Sequence, residues 1–202
     1  MNCSATFRKV LLLGGFSLLN GSVMAADLAV SAVDERDAVV ENLALALLPL
    51  NGPVPAGPKA AEIGQENKTF IPLVSVVQTG TAISFPNRDT VRHHVYSFSP
   101  AKTFELKLYA GTPAKPVTFN EPGLVVLGCN IHDHMVAYVM VANTPWQAVT
   151  DAQGRAEFED VPAGEYDLQY WHPRWAGRAE LPRVRVNLVR DGKMRLVITD
   201  NP

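Results

Sequence analysis

From about residue 26 onward the sequence is broken into short runs in which β-branched, aromatic or aliphatic residues alternate with polar ones, each run closed by Gly, Pro, Asn or Asp. A period of two puts every second side chain on one face of a strand, so the pattern predicts half-buried strands. No stretch carries the 3.6-residue period of an amphipathic helix. Strands are predicted over 28–33, 39–48, 70–77, 81–85, 94–98, 103–109, 117–119, 124–127 and 136–141. Gln78-Thr79-Gly80 reads as the turn of a hairpin between two of them. The Pro- and Gly-rich stretch 49–64 reads as a linker or surface loop. After Asn143, turns at Asp151-Ala152-Gln153-Gly154 and Pro162-Ala163-Gly164 separate alternating runs, among them 165–171, 183–189 and 194–198. Asp191-Gly192 between the last two is a hairpin signal. The predicted fold class is all-β, with a second, smaller β unit at the C-terminal end.

The first residues behave differently. Arg8-Lys9 precede the apolar stretch 10–19, and Val23-Met24-Ala25 supplies small residues suited to signal peptidase. Residues 1–25 therefore read as a secretory signal peptide that sends the chain to the periplasm. A membrane anchor needs roughly 20 apolar residues, whereas this run is shorter and interrupted by Gly14-Gly15 and Ser17. No other segment is long and apolar enough, so the mature chain is expected to have no transmembrane segment. Cys3 lies ahead of the apolar stretch, which is not the place of a lipoprotein cysteine. With 202 residues, 47% of them hydrophobic and only 19% charged, the chain can bury one large or two small cores.

Loss of the signal removes Arg8 and Lys9 from the 18 basic residues, leaving 16 against 20 acidic ones. A chain with that negative balance is not expected to bind nucleic acid. It also leaves Cys129 as the only cysteine, so no internal disulfide can form. A lone thiol in an oxidising compartment is buried, paired with another chain or held by a metal. Cys129, His132 and Met135 stand three residues apart in Gly128-Cys129-Asn130-Ile131-His132-Asp133-His134-Met135, and His93-His94 lies upstream. A thiolate, a thioether and two imidazoles are the donor types of a blue-copper site, because soft sulfur favours Cu(I) and imidazole accepts either oxidation state. Metal ligation is thus the reading of Cys129, and the chain reads as a copper protein. His172, in Tyr170-Trp171-His172-Pro173-Arg174-Trp175, reads as a strand end with aromatic packing. No Gly-x-Ser-x-Gly elbow, phosphate-binding glycine loop or His-Glu-x-x-His helix is present, and the chain is not read as an enzyme.

The segment 76–141 resembles the cupredoxin family of small blue-copper proteins. Phe85-Pro86-Asn87 before His93, followed by the Cys129, His132, Met135 loop, matches its hairpin, first ligand and late ligand loop, with the spacing of the amicyanin branch. The whole chain resembles bacterial methylamine utilisation protein-like or plastocyanin-like proteins through His93-His94-Val95-Tyr96-Ser97-Phe98-Ser99 and Leu127-Gly128-Cys129-Asn130-Ile131-His132-Asp133. That likeness implies copper binding and export rather than a methylamine pathway. The outer segments resemble the carboxypeptidase regulatory-like β-sandwich through Val33-Asp34, Thr150-Asp151, Gly154 to Phe158 and Pro162-Ala163-Gly164-Glu165-Tyr166.

These resemblances imply a signal peptide over 1–25, first strands of a regulatory-like sandwich over 26–58, a cupredoxin-like Greek-key sandwich or barrel over 59–143, and the remainder of the regulatory-like sandwich over 144–202. The plainer alternative is two consecutive domains. The implied ligands of one copper ion are His93, Cys129 and His132 in a plane and Met135 on the axis. Many cupredoxins carry asparagine after the first ligand, where this chain has His94; it is either a fastening group or the ligand in place of His93. Asp133 and His134 replace the apolar surroundings of electron shuttles and are further candidates around the metal, with Asp89 and Asp133 as carboxylate partners. The implied function is one-electron transfer with a periplasmic redox partner protein. The alternative is copper storage or delivery with a copper donor or acceptor protein.

Overall fold

The computed structural model describes residues 25–57, 59–113, 115–177 and 181–199, so the expected signal peptide, Ala25 apart, and Cys3 lie outside the described residues. The described residues form strands and one short 3₁₀ turn, Pro173–Trp175. In chain order the first strands are β1 (Ala25–Asp34), β2 (Ala44–Pro49), β3 (Ala60–Glu62), β4 (Gly64–Glu66), β5 (Thr69–Ile71) and β6 (Val74–Gln78). The middle of the chain adds β7 (Thr81–Ser84), β8 (His93–Ser99), β9 (Lys102–Tyr109), β10 (Val117–Phe119), β11 (Gly123–Cys129) and β12 (Val136–Ala142). The last are β13 (Gln147–Val149), β14 (Arg155–Pro162), β15 (Gly164–Trp171), β16 (Arg183–Leu188) and β17 (Gly192–Ile198).

The earliest strands find their partners at the far end of the sequence. β1 lies between β14, antiparallel, and β17, parallel. β2 lies between β13 and β15, with β16 at the edge of that sheet. Thr150 reinforces the closure: its hydroxyl donates to Val40 O at 2.7 Å and accepts the Leu43 N–H at 2.9 Å. β1 keeps a strict alternation, with Ala26, Leu28, Val30 and Ala32 buried. In β2 all of Ala44, Leu45, Ala46 and Leu47 are fully buried, because this strand is covered on both faces and has no solvent side to mark with a polar residue.

The remaining strands form a five-stranded sheet, β6-β12-β11-β8-β9, with smaller sheets β10-β7-β3 and β4-β5. The period of two in β6, β11 and β12 divides their side chains between two cores. Val74, Val76, Leu124, Tyr138 and Met140 pack with residues of β1, β2 and β15. Val77, Val125, Leu127, Ala137, Val139 and Val141 pack with Ile63, Phe70, Ile83, Phe85 and Phe119. Tyr138 and Trp171, with ring centroids 4.9 Å apart, join the five-stranded sheet to β15.

Several sequence expectations are corrected here. β6 and β7 do not form a hairpin across Gly80: β6 pairs with β12 and β7 with β10 and β3, so the turn passes the chain between sheets. Nor is Asp191-Gly192 a hairpin turn, since β16 pairs with β15 and β17 with β1. A turn dipeptide fixes a reversal of direction, but pairing depends on which edge has a buried face to offer. The predicted strand 70–77 is two strands, interrupted at Pro72, where the missing N–H cannot continue a ladder. The predicted strand 39–48 begins only at Ala44. Part of the 49–64 loop is strand, β3 and the start of β4.

Candidate metal centre

His93 and Cys129 reach each other through strand register. Cys129, the last residue of β11, stands opposite Val95 of β8, and His93, two residues before Val95, shares its face. Beyond Cys129 the chain turns, and Met135 N–H donates to His132 O at 2.9 Å, which folds the loop back over the strand end. Cys129 Sγ then lies 3.9 Å from His93 Nδ1 and 4.0 Å from His132 Nδ1. All three donor atoms lie within 4.8 Å of one another, the one such group among the described residues. His93 is fully buried, Cys129 nearly so, and His132 half-buried. The two imidazoles sit with centroids 5.1 Å apart. Met135 is buried in the same core as Cys129.

His93 is fixed from behind. Its Nε2 lies 2.7 Å from Asp89 Oδ2, and Asp89 also accepts the N–H groups of Asn67 at 2.7 Å and Lys68 at 2.9 Å. Burial presses the Asp89 carboxyl upward in pKa, but the hydrogen bonds from His93, Lys68 and Asn67 together outweigh it and hold it below 3.8. An ionised Asp89 is acceptor only, so Nε2 carries the proton and Nδ1 turns a lone pair toward Cys129. The loop leading to His93 is itself tied down: Asn87 Nδ2 donates to Val91 O at 2.8 Å and to Tyr109 O at 3.0 Å.

Electrostatics favour a neutral imidazole at His132. Its pKa is lowered, first by burial and then by positive charge at His93, Lys68 and His134, with Asp89 acting in the opposite sense. Tyr109, paired across from His93, is pushed up to about 12, first by burial, with a hydrogen bond from Gln65 opposing and Cys129 adding to the rise. Its hydroxyl donates to Phe85 O at 2.8 Å and accepts from Gln65 Nε2 at 2.6 Å. Gln65, fully buried, lies one residue past the 49–64 stretch that reads from sequence as linker or surface loop, in a segment to which the sequence assigns no strand. Tyr109 was legible only as the end of an alternating strand.

The other sequence candidates fall elsewhere. His94 points to the opposite face of the sheet, its Nε2 at 3.0 Å from Glu105 Oε1 and its ring 5.9 Å from that of Tyr96. His134 and Asp133 are exposed, with the His134 ring 6.0 Å from that of His132. His172 is buried against Trp175 and caps the 3₁₀ turn, its Nδ1 accepting the Arg174 N–H at 3.1 Å and its Nε2 facing Glu41 O at 3.0 Å.

The donor triangle fits a first-row transition ion. Metal–nitrogen bonds of about 2.0 Å and a metal–sulfur bond of about 2.3 Å at trigonal angles need sulfur–nitrogen separations of about 3.7 Å, close to the 3.9 and 4.0 Å observed. One thiolate with two imidazoles is the trigonal donor set associated with copper.

No protein-family profile matches the chain, and no curated protein does. Among solved structures the chain is similar to a copper-containing nitrite reductase from Thermus scotoductus, at 23% identity and TM-score 0.39, over 46% of this chain and 25% of that one. It is similar to a purple cupredoxin from Nitrosopumilus maritimus at 22% identity and TM-score 0.36, over 41% of this chain and 99% of that one. A reduced amicyanin variant aligns at 18% identity and TM-score 0.38, over 48% of this chain and 98% of that one. This chain therefore spans about a quarter of the nitrite reductase, and each likeness covers less than half of the present sequence.

Proposed function

We propose that this is an exported cupredoxin-like electron carrier rather than an enzyme, holding one copper ion between His93 Nδ1, His132 Nδ1 and Cys129 Sγ, with Met135 as a weak fourth donor. The observation that carries the reading is the buried sulfur facing two imidazole nitrogens at 3.9 and 4.0 Å, one of those rings locked by Asp89. Copper bound there supplies a one-electron couple that a soft, near-trigonal donor set keeps accessible. The chain's own contribution is rigidity: Asp89 orients His93, the sheet register fixes Cys129, and the turn closed by Met135 N–H places His132. Half-buried His132 is the ligand edge nearest solvent and the exit toward a redox partner protein. We assign export to residues 1–25. We also assign strands β1, β2 and β13 to β17 to a regulatory-like sandwich interrupted by the copper unit of 59–143.

The exposed His134 favours a second reading, copper storage or delivery, since it offers a further imidazole beside His132. An absorption and paramagnetic-resonance spectrum of the copper-loaded chain tests both. Electron transfer requires an intense visible thiolate band with Cu(II) that Cys129→Ser abolishes. A colourless protein that takes only Cu(I) sinks that reading in favour of handling, and failure to bind copper in either state sinks both.

A further inference from the structure

Among the described residues, five other than glycine have positive φ: Asp37, Asn42, Asn67, Lys68 and Asp160. Aspartate and asparagine enter that region readily because their short polar side chains hydrogen-bond locally, and lysine has no such help. Lys68 is therefore the exception, and it directly follows Asn67, at φ 56 after φ 53. The two residues connect Glu66 to Thr69, which pair across β4 and β5, and a two-residue turn of this kind needs positive φ at both positions. Its consequence appears at Asp89. Successive N–H groups in such a turn converge on an anion, and here Asn67 N–H donates to Oδ1 at 2.7 Å and Lys68 N–H to Oδ2 at 2.9 Å. His93 Nε2 adds a third donor to Oδ2 at 2.7 Å. Three donors thus fix one carboxylate whose side chain is only 13% exposed.

We propose that Asp89 sets the oxidation-state preference of the site: its negative charge, held by the β4–β5 turn and applied through His93, favours Cu(II) over Cu(I) and lowers the reduction potential. This rests on the copper reading above. Cu(II) carries one more positive charge than Cu(I), so an anion fixed behind one ligand stabilises the oxidised form more. A carboxylate on Nε2–H also makes Nδ1 a stronger donor, which acts in the same direction. The sulfur donors Cys129 and Met135 pull the other way, toward Cu(I), and Asp89 offsets them. Lys68 opposes Asp89 as well, since its positive charge reaches His132. Its side chain is exposed, however, and water and salt screen it more than the enclosed carboxylate. A site kept for Cu(I) storage has no use for such an anion.

The test measures Cu(II) and Cu(I) affinities of the full chain by competition with a chelator of each ion, and the potential by redox titration. Asp89→Asn is expected to lose about tenfold more affinity for Cu(II) than for Cu(I), which for a one-electron couple is a rise of about 59 mV. Asp89→Ser repeats the measurement if the amide prevents folding. Asp89→Glu keeps the charge and is expected to keep the ratio of the two affinities even where both fall. Lys68→Gly keeps the turn and its N–H groups and leaves the ratio close to that of the wild type. Equal loss of both affinities in Asp89→Asn, with the thiolate band retained, means that Asp89 only positions His93; it overturns this inference and leaves the copper reading standing. A Lys68→Gly effect as large as that of Asp89→Asn assigns the preference to surface charge, and an Asp89→Glu ratio equal to that of Asp89→Asn removes charge as the cause; either overturns the inference. A wild-type chain that binds neither ion overturns both.

Discussion

Asp89 Oδ2 lies 2.7 Å from His93 Nε2 while the same carboxylate accepts the N–H groups of Asn67 and Lys68. One side chain thus ties the β4–β5 turn to the ring that faces Cys129. Asp89→Asn replaces two acceptor oxygens by one oxygen and an amide that opposes its former donors. Copper affinity is expected to fall about 10- to 100-fold and stability by about 1–3 kcal/mol. Competition titration reads the first. Faster hydrogen exchange at Asn67 and Lys68 reads the second, and unchanged exchange there removes Asp89 from the role.

The adjacent histidines are expected to respond oppositely. His93→Ala empties a fully buried position and strands the Asp89 charge, so the thiolate band is lost and the metal-free chain is destabilised by about 3 kcal/mol or more. His94→Ala only shifts the band and costs less than about 1 kcal/mol. The reverse pattern in visible spectra and urea midpoints reassigns the ligand.

His172 makes stability depend on pH without involving the metal. Its pKa is lowered by burial, with the Glu41 carbonyl opposing and Arg174 adding to the effect. Above the ordinary value of 6.5 both folded and unfolded states are neutral; below it the unfolded chain binds the proton first, so stability is lost as pH falls through the folded value. His172→Asn retains an acceptor for the Arg174 N–H without a titrating ring. Between pH 7 and 5 its melting temperature is expected to fall less than that of the wild type. Carboxylates such as Asp34, held below 3.8 by N–H groups of Arg36 and Ala38, act at lower pH, and His132, whose pKa is also lowered, contributes alike to both chains, so the difference between them isolates His172.

The C-terminal fragment 145–202 is expected to remain unfolded. β14 and β17 each pair with β1, and β13 and β15 are bridged by β2, so the fragment lacks the strand that joins each sheet and keeps only the β15–β16 pair. Adding residues 25–57 as a separate chain is expected to restore strand signal in circular dichroism, whereas 60–143 folds alone. A cooperatively melting 145–202 fragment contradicts the interrupted-sandwich architecture.

Strand character was legible because a period of two needs only local alternation, and β1 shows it plainly. β2 is legible as apolar but not in its placement, since two-sided burial erases the period. The hairpins expected at Gly80 and at Asp191-Gly192 show the limit of turn chemistry: each turn reverses the chain, yet each delivers its second strand to a different sheet. At the site, the spacing of Cys129, His132 and Met135 was readable because all three share one loop. Gln65 and Tyr109 were not, because ordinary polar and aromatic residues acquire their role only when buried beside a distant strand.

The order of residues by itself determined an all-β chain and one short segment rich in soft and imidazole donors, both consequences of nearest-neighbour chemistry. Tertiary structure alone decided that His93 rather than His94 faces the sulfur, that Asp89 stands behind it, and that the ends of the chain close around its middle. Register across β8 and β11 sets which face of a strand meets Cys129, and a slip of one residue would exchange the two histidines.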